Sequence, residues 1–433
     1  MALLGVRQTS FFRTSLLGTL TCLLVSGAGF AGELTVRPGE SIAAAIARAA
    51  PGDVVRVEKG YYRERLLIDK PLTLKGINRP TISGGFEGDT INVVAEDVVI
   101  EGLIVRDSGD SLLDQNSGIF IRPGAHRATV HNCDLTYNLF GIYIQTVEKV
   151  EIRNNTITGK RDYRSPRRGN GIQLYNTEGA QIVGNNISFV RDGIYVDVSH
   201  HAVFRNNRIH NVRYGTHYMN SHYNVWEGND SYHNRGGLAL MMTRHQVVRN
   251  NRAWGNSDHG IMLRTIQDSV IEGNIVAGNA RGFFIYDAEY NILRNNLVMD
   301  NTVGVHLWAG SYRNKAEGND FISNRTQIKY VAARDEIWGA GGGNYWSNYV
   351  GWDRNGDGVG DVQYEANDMV DRLSWRHPMM KLLLASPAVQ TLRLVSQQFP
   401  LLRAPSIVDP NPQMKPHNPD WSHWSGRYFP HAN

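Results

Sequence analysis

The chain of 433 residues has almost no cysteine: Cys22 and Cys133 are the only two. Cys22 lies in a segment expected to be removed, so the mature chain has no internal disulfide to hold it together. It has no apolar run of about 18 residues, which excludes a polytopic membrane protein. It also lacks a charge excess. The formal charge is +4, and without Arg7 and Arg13 the balance becomes 43 basic against 41 acidic residues. That excludes an electrostatic nucleic-acid binder. With 41% hydrophobic and 20% charged residues the chain is not disordered and has material for a large core.

Residues 1–31 read as a secretory leader: Arg7 and Arg13, then the apolar stretch SLLGTLTCLLV (15–25), then Gly29, Phe30 and Ala31 at the cleavage region. Thr21 before Cys22 fits a lipoprotein cleavage box poorly. Beyond the leader a period appears. Gly118, Gly141, Gly171, Gly193, Gly215, Gly237, Gly260, Gly282 and Gly304 each open a short apolar strand, at spacings of 22 or 23 apart from a single 30. The exception is a loop insertion around 159–170. A second column follows the same beat: Asn132, Asn155, Asn185, Asn207, Asn229, Asn251, Asn274, Asn296 and Asn319. A third comprises Asn234, Asn256, Asn279, Asn301 and Asn324. Short strands at this period, without a helical pattern, predict an all-β protein, a parallel β-solenoid over 32–338. Glycine is expected to make the sharp corner, and the asparagines to satisfy one another's amides along the axis.

Residues 40–52 predict a short capping helix with Ser41 near its N-cap and Ile42, Ala45, Ile46 and Ala49 on one face. Residues 339–433 are expected to form a partly helical C-terminal docking extension. Within it, Asp353, Asn355, Asp357 and Asp361 resemble the first half of a calcium loop, but Tyr364 stands where a bidentate acid is required; a tight Asx-turn loop fits equally. Ser386 and Pro387 start a helix over 386–399. The last thirty residues are expected to be extended unless something orders them, or to pack back on the solenoid.

Strand residues alternate, so the first and third positions after each glycine point inward and the second and fourth outward. The outward pairs include Tyr195/Asp197, His217/Met219, Ala239/Met241, Met262/Arg264, Phe284/Tyr286 and His306/Trp308. Eight of 15 histidines fall between residues 200 and 259. Thioether and imidazole together favour copper, above all Cu(I), over hard ions. His217, Met219, Met241 and Met262 are the first-choice ligands, with Met242, His222 and His245 in reserve. The same letters also suit methionines packed under a loop. A polysaccharide lyase or epimerase is the competing class, since solenoids carry such chemistry, yet Asp197, Arg122 and Arg264 are too widely spaced to converge. A pure protein scaffold is the third alternative.

The segments RYGTHYMNSHYN (213–224) and GGLALMMTRHQVV (236–248), followed by GGGNYWSNYVGWDRNGDGVGDVQY (341–364) and KLLLASPAVQTLRLVSQQFPLLRAPSIVDPNP (381–412), resemble the NosD family of periplasmic nitrous oxide reductase maturation proteins. The resemblance implies a right-handed parallel β-helix, periplasmic and non-enzymatic. It also implies docking on an ABC transporter of membrane and ATPase subunits, service to the copper centre of nitrous oxide reductase, and a copper-donating lipoprotein chaperone as a further partner. Residues 379–403 are then the expected contact with the transporter's membrane subunits.

Overall fold

Each turn of the repeat places one short strand in each of three parallel sheets, whose inward residues share one apolar interior. The computed structural model describes residues 31–433 except 309, 332–333, 367–376, 378, 380–382, 384–385, 399–404 and 426–433. The predicted leader therefore lies outside the described residues, apart from Ala31. Among the described residues the sheets have 13, 12 and 13 strands. The first runs from Glu33–Val36 to Lys315–Glu317, the second from Leu66–Ile68 to Ile328–Tyr330, and the third from Tyr61–Arg63 to Tyr345–Trp346. The fold is a parallel β-solenoid, as the period predicts. Its second sheet carries the glycine-led strands, including Asp192–Asp197, Tyr214–Met219, Gly236–Arg244 and His259–Gln267.

The glycine column answers a need for space rather than for turning. None of its nine members has a positive φ. A Cβ on Gly193 would stand 2.5 Å from the carbonyl oxygen of Gly215, so only glycine lets adjacent coils approach there. The expectation that these glycines make the corner is thus corrected. The left-handed turn falls instead on the residue just before each asparagine of the second column from Asn155 to Asn319, an asparagine as at Asn154 (φ 54°) or a glycine as at Gly184 (φ 68°). Asparagine is one of the few residues that tolerate this conformation.

The asparagines that follow these turns, continued by Asn344, build the buried ladder. From Asn155 through Asn185, Asn207, Asn229, Asn251, Asn274, Asn296 and Asn319 to Asn344, each backbone N–H and Nδ2 donates to Oδ1 of the next residue at 2.9–3.1 Å. Asn132 does not belong to it: its φ is 53°, and Cys133 takes the ladder position, donating its N–H to Asn155 Oδ1 at 2.9 Å. Burial pushes the Cys133 thiol up to about 12, as expected of an inert core residue.

The two ends are closed differently. At the first, the helix Ile42–Arg48 buries Ile42, Ala45 and Ile46. Its N-terminus is capped by Ser41 Oγ, which accepts from Ala44 N–H, and by the Glu64 carboxylate, which accepts from Ile42 and Ala43 N–H at 3.0 Å. At the other end, Ile407–Asp409 pairs with Glu336–Ile337 and Tyr364–Ala366 in a small sheet. Phe321, Trp346 and Tyr364 stack over the interior at 4.2 and 4.3 Å. Asp409 ends the ladder, its Oδ2 accepting from Asn344 N–H and Nδ2 at 2.9 Å. The solenoid's last paired strand, Tyr345–Trp346, thus lies beyond residue 338, inside the segment expected as an extension. Residues 405–425 lie back on the solenoid: His417 and Asn418 N–H donate to Asp320, and Trp421 and Trp424 cover Ala277, Leu297, Met299 and Ile322. Of the predicted contact segment 379–403, the helix Pro387–Gln398 is described, while much of the remainder lies outside the described residues.

Candidate functional site

The outward residues of the second sheet stack in register, coils being about 4.8 Å apart. One column runs Tyr195, His217, Ala239, Met262, Phe284, His306. In the adjacent column Asp197 pairs with Met219, and Met241 with Arg264 and then Tyr286. Because Tyr218 pairs with Leu240, Met219 sits beside Met241. Met241 and Met262, each 8% exposed, form with Ala239 a small cluster separate from the interior, against which Met219, Tyr214 and Phe284 pack. Methionine side chains from three successive coils therefore pack together on the outer face.

His217 stands at the rim of this cluster under tight control. Its Nδ1 lies 2.9 Å from Asp192 Oδ2, and Arg213 donates to the same carboxylate through Nε and Nη2 at 2.8 and 2.5 Å. A carboxylate only accepts, so Nδ1 of His217, which also has Arg213 Nη2 at 3.2 Å, carries a proton, and in the neutral ring Nε2 keeps its lone pair. This is the carboxylate–histidine arrangement that orients metal-binding imidazoles. Asp192 is 1% exposed. Burial alone would raise its pKa, but the hydrogen bonds from Arg213 and His217 and the Arg213 charge outweigh that and hold it below the usual carboxylate range. Tyr195 and Tyr214 meet the His217 ring edgewise at 4.9 and 5.5 Å.

The three reserve residues lie elsewhere. Met242 occupies the left-handed turn that ends the outward strip, at φ 50°, and is exposed. His222 and His245 follow on the corner between the second and first sheets. His222 stacks on His200 at 5.3 Å, and His245 on Tyr223 at 4.8 Å. Nδ1 of His200 accepts the His222 N–H at 3.0 Å, and Nδ1 of His222 accepts the Arg244 N–H at 3.1 Å. Their neutral rings therefore carry the proton on Nε2, and neither nitrogen offers a lone pair. Burial first, then His200 and Arg244, pushes the pKa of His222 down, which keeps that acceptor role.

Four contributors to this face escaped the sequence pattern: Asp192, Arg213, Tyr214 and His259. Asp192, Tyr214, Gly236 and His259 form a further outward column one residue upstream of the glycines. A frame starting at each glycine passes over it, although the His-Gly pair at 259–260 was visible. His306, farther along the strip, is also buried, and burial first, with Lys329 and Arg281, pushes its pKa down to about 4.

Two other predicted features have local uses. In the calcium-like loop, Asp353 accepts the N–H groups of Gly356, Asp357 and Gly358, Asp361 accepts that of Arg354, and Tyr364 is a packing residue. Among the described residues, no three or more His, Cys, Asp or Glu side chains converge as a metal site. The charges of the lyase alternative do not converge: Arg122 pairs with Asp89 at 2.7 Å, and Asp197 accepts from Asn220 at 3.1 Å.

A family model described as "Periplasmic copper-binding protein (NosD)" matches residues 153–351. A Stutzerimonas stutzeri protein named "Probable ABC transporter binding protein NosD" is 36% identical over 376 residues, 83% of this chain and 86% of that one. Its Pseudomonas aeruginosa namesake is 37% identical over 371 residues, 82% and 87% of the two chains. The chain belongs to the NosD family. Among solved structures, PfbA, a surface adhesin of Streptococcus pneumoniae, matches 67% of this chain and 87% of its own at 12% identity and a TM-score of 0.52. That likeness speaks for the fold alone. The family match spans every residue of the Met219–Met241–Met262 cluster and its rim.

Proposed function

We propose that this NosD-family chain is an exported, non-enzymatic copper carrier that works with a membrane ABC transporter in assembling the copper centre of nitrous oxide reductase. Copper is cargo here, taken up as Cu(I) and passed on. The observation that carries the proposal is the meeting of Met219, Met241 and Met262 on the outer face beside an imidazole whose tautomer Asp192 fixes. Thioethers and a neutral imidazole suit a soft monovalent ion, and unlike thiolates they are not lost to disulfides in an oxidising compartment. The family description supports copper and the periplasm, and the names of the two relatives support a transporter partner. Contact with the transporter's membrane and ATPase subunits, a copper-donating lipoprotein chaperone and nitrous oxide reductase itself complete the proposal.

Competition titration of the purified chain with a Cu(I) chelator tests it. The Met219→Leu/Met241→Leu double variant keeps volume and apolar character, so it should fold normally while losing at least about 100-fold in Cu(I) affinity. Equal affinity in the double variant would reject this site and leave a scaffold role.

A further inference from the structure

His259 is the most deeply buried histidine among the described residues, at 1% exposure, and neither ring nitrogen has a hydrogen-bond partner. Asp258 Oδ2 stands 3.7 Å from Nδ1, too far for a hydrogen bond, and Asp258 is itself paired with Arg281. Buried polar groups are nearly always satisfied, so an imidazole left without a hydrogen bond calls for an explanation. The ring leans across Gly236 of the preceding coil. A Cβ on Gly236 would stand 2.5 Å from His259 Nε2 and 2.7 Å from Tyr214 Cδ1, so the imidazole occupies a space that only glycine leaves open.

That space adjoins the methionine cluster. Tyr214 packs on the cluster and lies 5.5 Å, ring to ring, from both His259 and His217. His259 precedes Met262 by three residues on the same strand. Exposure falls from the rim inwards: the side chain of His217 is 15% exposed, Met241 and Met262 are 8% exposed, and His259 is almost completely enclosed.

We propose that His259 is the inner imidazole ligand of the copper-carrying site, binding the ion together with Met262 after His217 and Met219 have captured it at the rim. This rests on the copper reading above. It explains why a buried ring is left without a hydrogen bond across Tyr214 from the methionine cluster: the missing partner is the metal. The donor set holds no carboxylate, so the site takes Cu(I) or Ag(I) and discriminates against Zn(II) and Ca(II).

The test uses the mature full-length chain with Cu(I), and with Ag(I) as a redox-inert probe. It compares wild type, His259→Phe and Gly236→Ala by chelator competition, X-ray absorption and thermal melting. His259→Phe replaces an unbonded polar ring by an apolar one of similar size, so the metal-free melting temperature should hold or rise. Its Cu(I) affinity should fall about 10- to 100-fold, with one nitrogen scatterer lost. Gly236→Ala, which displaces the ring without removing it, should weaken binding in the same direction. Wild-type affinity and an unchanged nitrogen shell in His259→Phe would overturn the inference while leaving the copper reading intact. A fall in metal-free melting temperature with affinity retained would mark His259 as a packing residue and overturn it as well. If the wild-type chain binds neither Cu(I) nor Ag(I), both the inference and the copper reading fail.

Discussion

Two groups of histidines stand a few residues apart on the same coils and have opposite chemical capacities. On the outer face, His217 donates its Nδ1–H to Asp192, which in the neutral ring leaves Nε2 available. On the adjoining corner, His200 and His222 accept backbone N–H groups at Nδ1, which places their protons on Nε2. Under the copper proposal the first binds the metal, whereas the second holds coils together. What separates them is the partner of one ring nitrogen, because that partner selects the tautomer. Histidine density alone, which is high across both groups, does not distinguish a ligand from a cap.

Between these two groups the largest expected effect comes from removing the partner that defines the first. Asp192→Asn leaves Arg213 without its counter-charge and His217 without its orienting carboxylate. Cu(I) affinity should drop about 10- to 100-fold. Stability to urea should fall by about 3 kcal/mol, the low end for a broken buried pair, because the Arg213 side chain is 27% exposed. Unchanged affinity would dissolve the contrast between the two groups.

A second test uses pH. His306, His259 and His222 all have depressed pKa values in the folded chain, with burial the leading cause in each. Below the unfolded value of 6.5 the unfolded chain takes up protons that the folded chain refuses, so stability should fall as pH drops from about 6.5 towards 4. His306 alone accounts for up to about 3 kcal/mol of this. Melting curves across that range should show the decline, and His306→Phe should flatten it; a flat wild-type profile would contradict the burial of these rings. The smallest effect is expected on the corner. His222→Gln and His245→Ala should leave Cu(I) affinity within about twofold of wild type and change stability by about 0.5 kcal/mol. A large loss of copper there would move the site to the corner.

Much of the architecture was legible because a solenoid repeats its constraints every coil. Gly193, Gly215 and Gly237 recur because adjacent coils approach too closely for a Cβ, and Asn207, Asn229 and Asn251 recur because a buried amide must find the next one. Alternation within Tyr214–Met219 and Gly236–Arg244 was enough to place Met219 and Met241 outside and Tyr218 and Leu240 inside. The finer points were less accessible. Asn132 and Cys133 are neighbours in sequence, and only backbone geometry shows that the cysteine takes the ladder position. Met242 and His222 share coils with the cluster but sit past a left-handed turn that directs the chain away from it. His259 lay outside the repeating frame, and nothing in a string of letters tells a bonded imidazole from an unbonded one.

Periodicity by itself determined the stacking of parallel coils, the buried columns of glycine and asparagine, and an exterior strip where sulfur and imidazole recur. These depend on one residue per coil and are repeated many times over, so local pattern suffices. Which nitrogen carries a proton, which carboxylate steadies it and which side chain is left without a partner were decided only by contacts between coils. Those contacts join residues some 21 to 25 positions apart, and each occurs once.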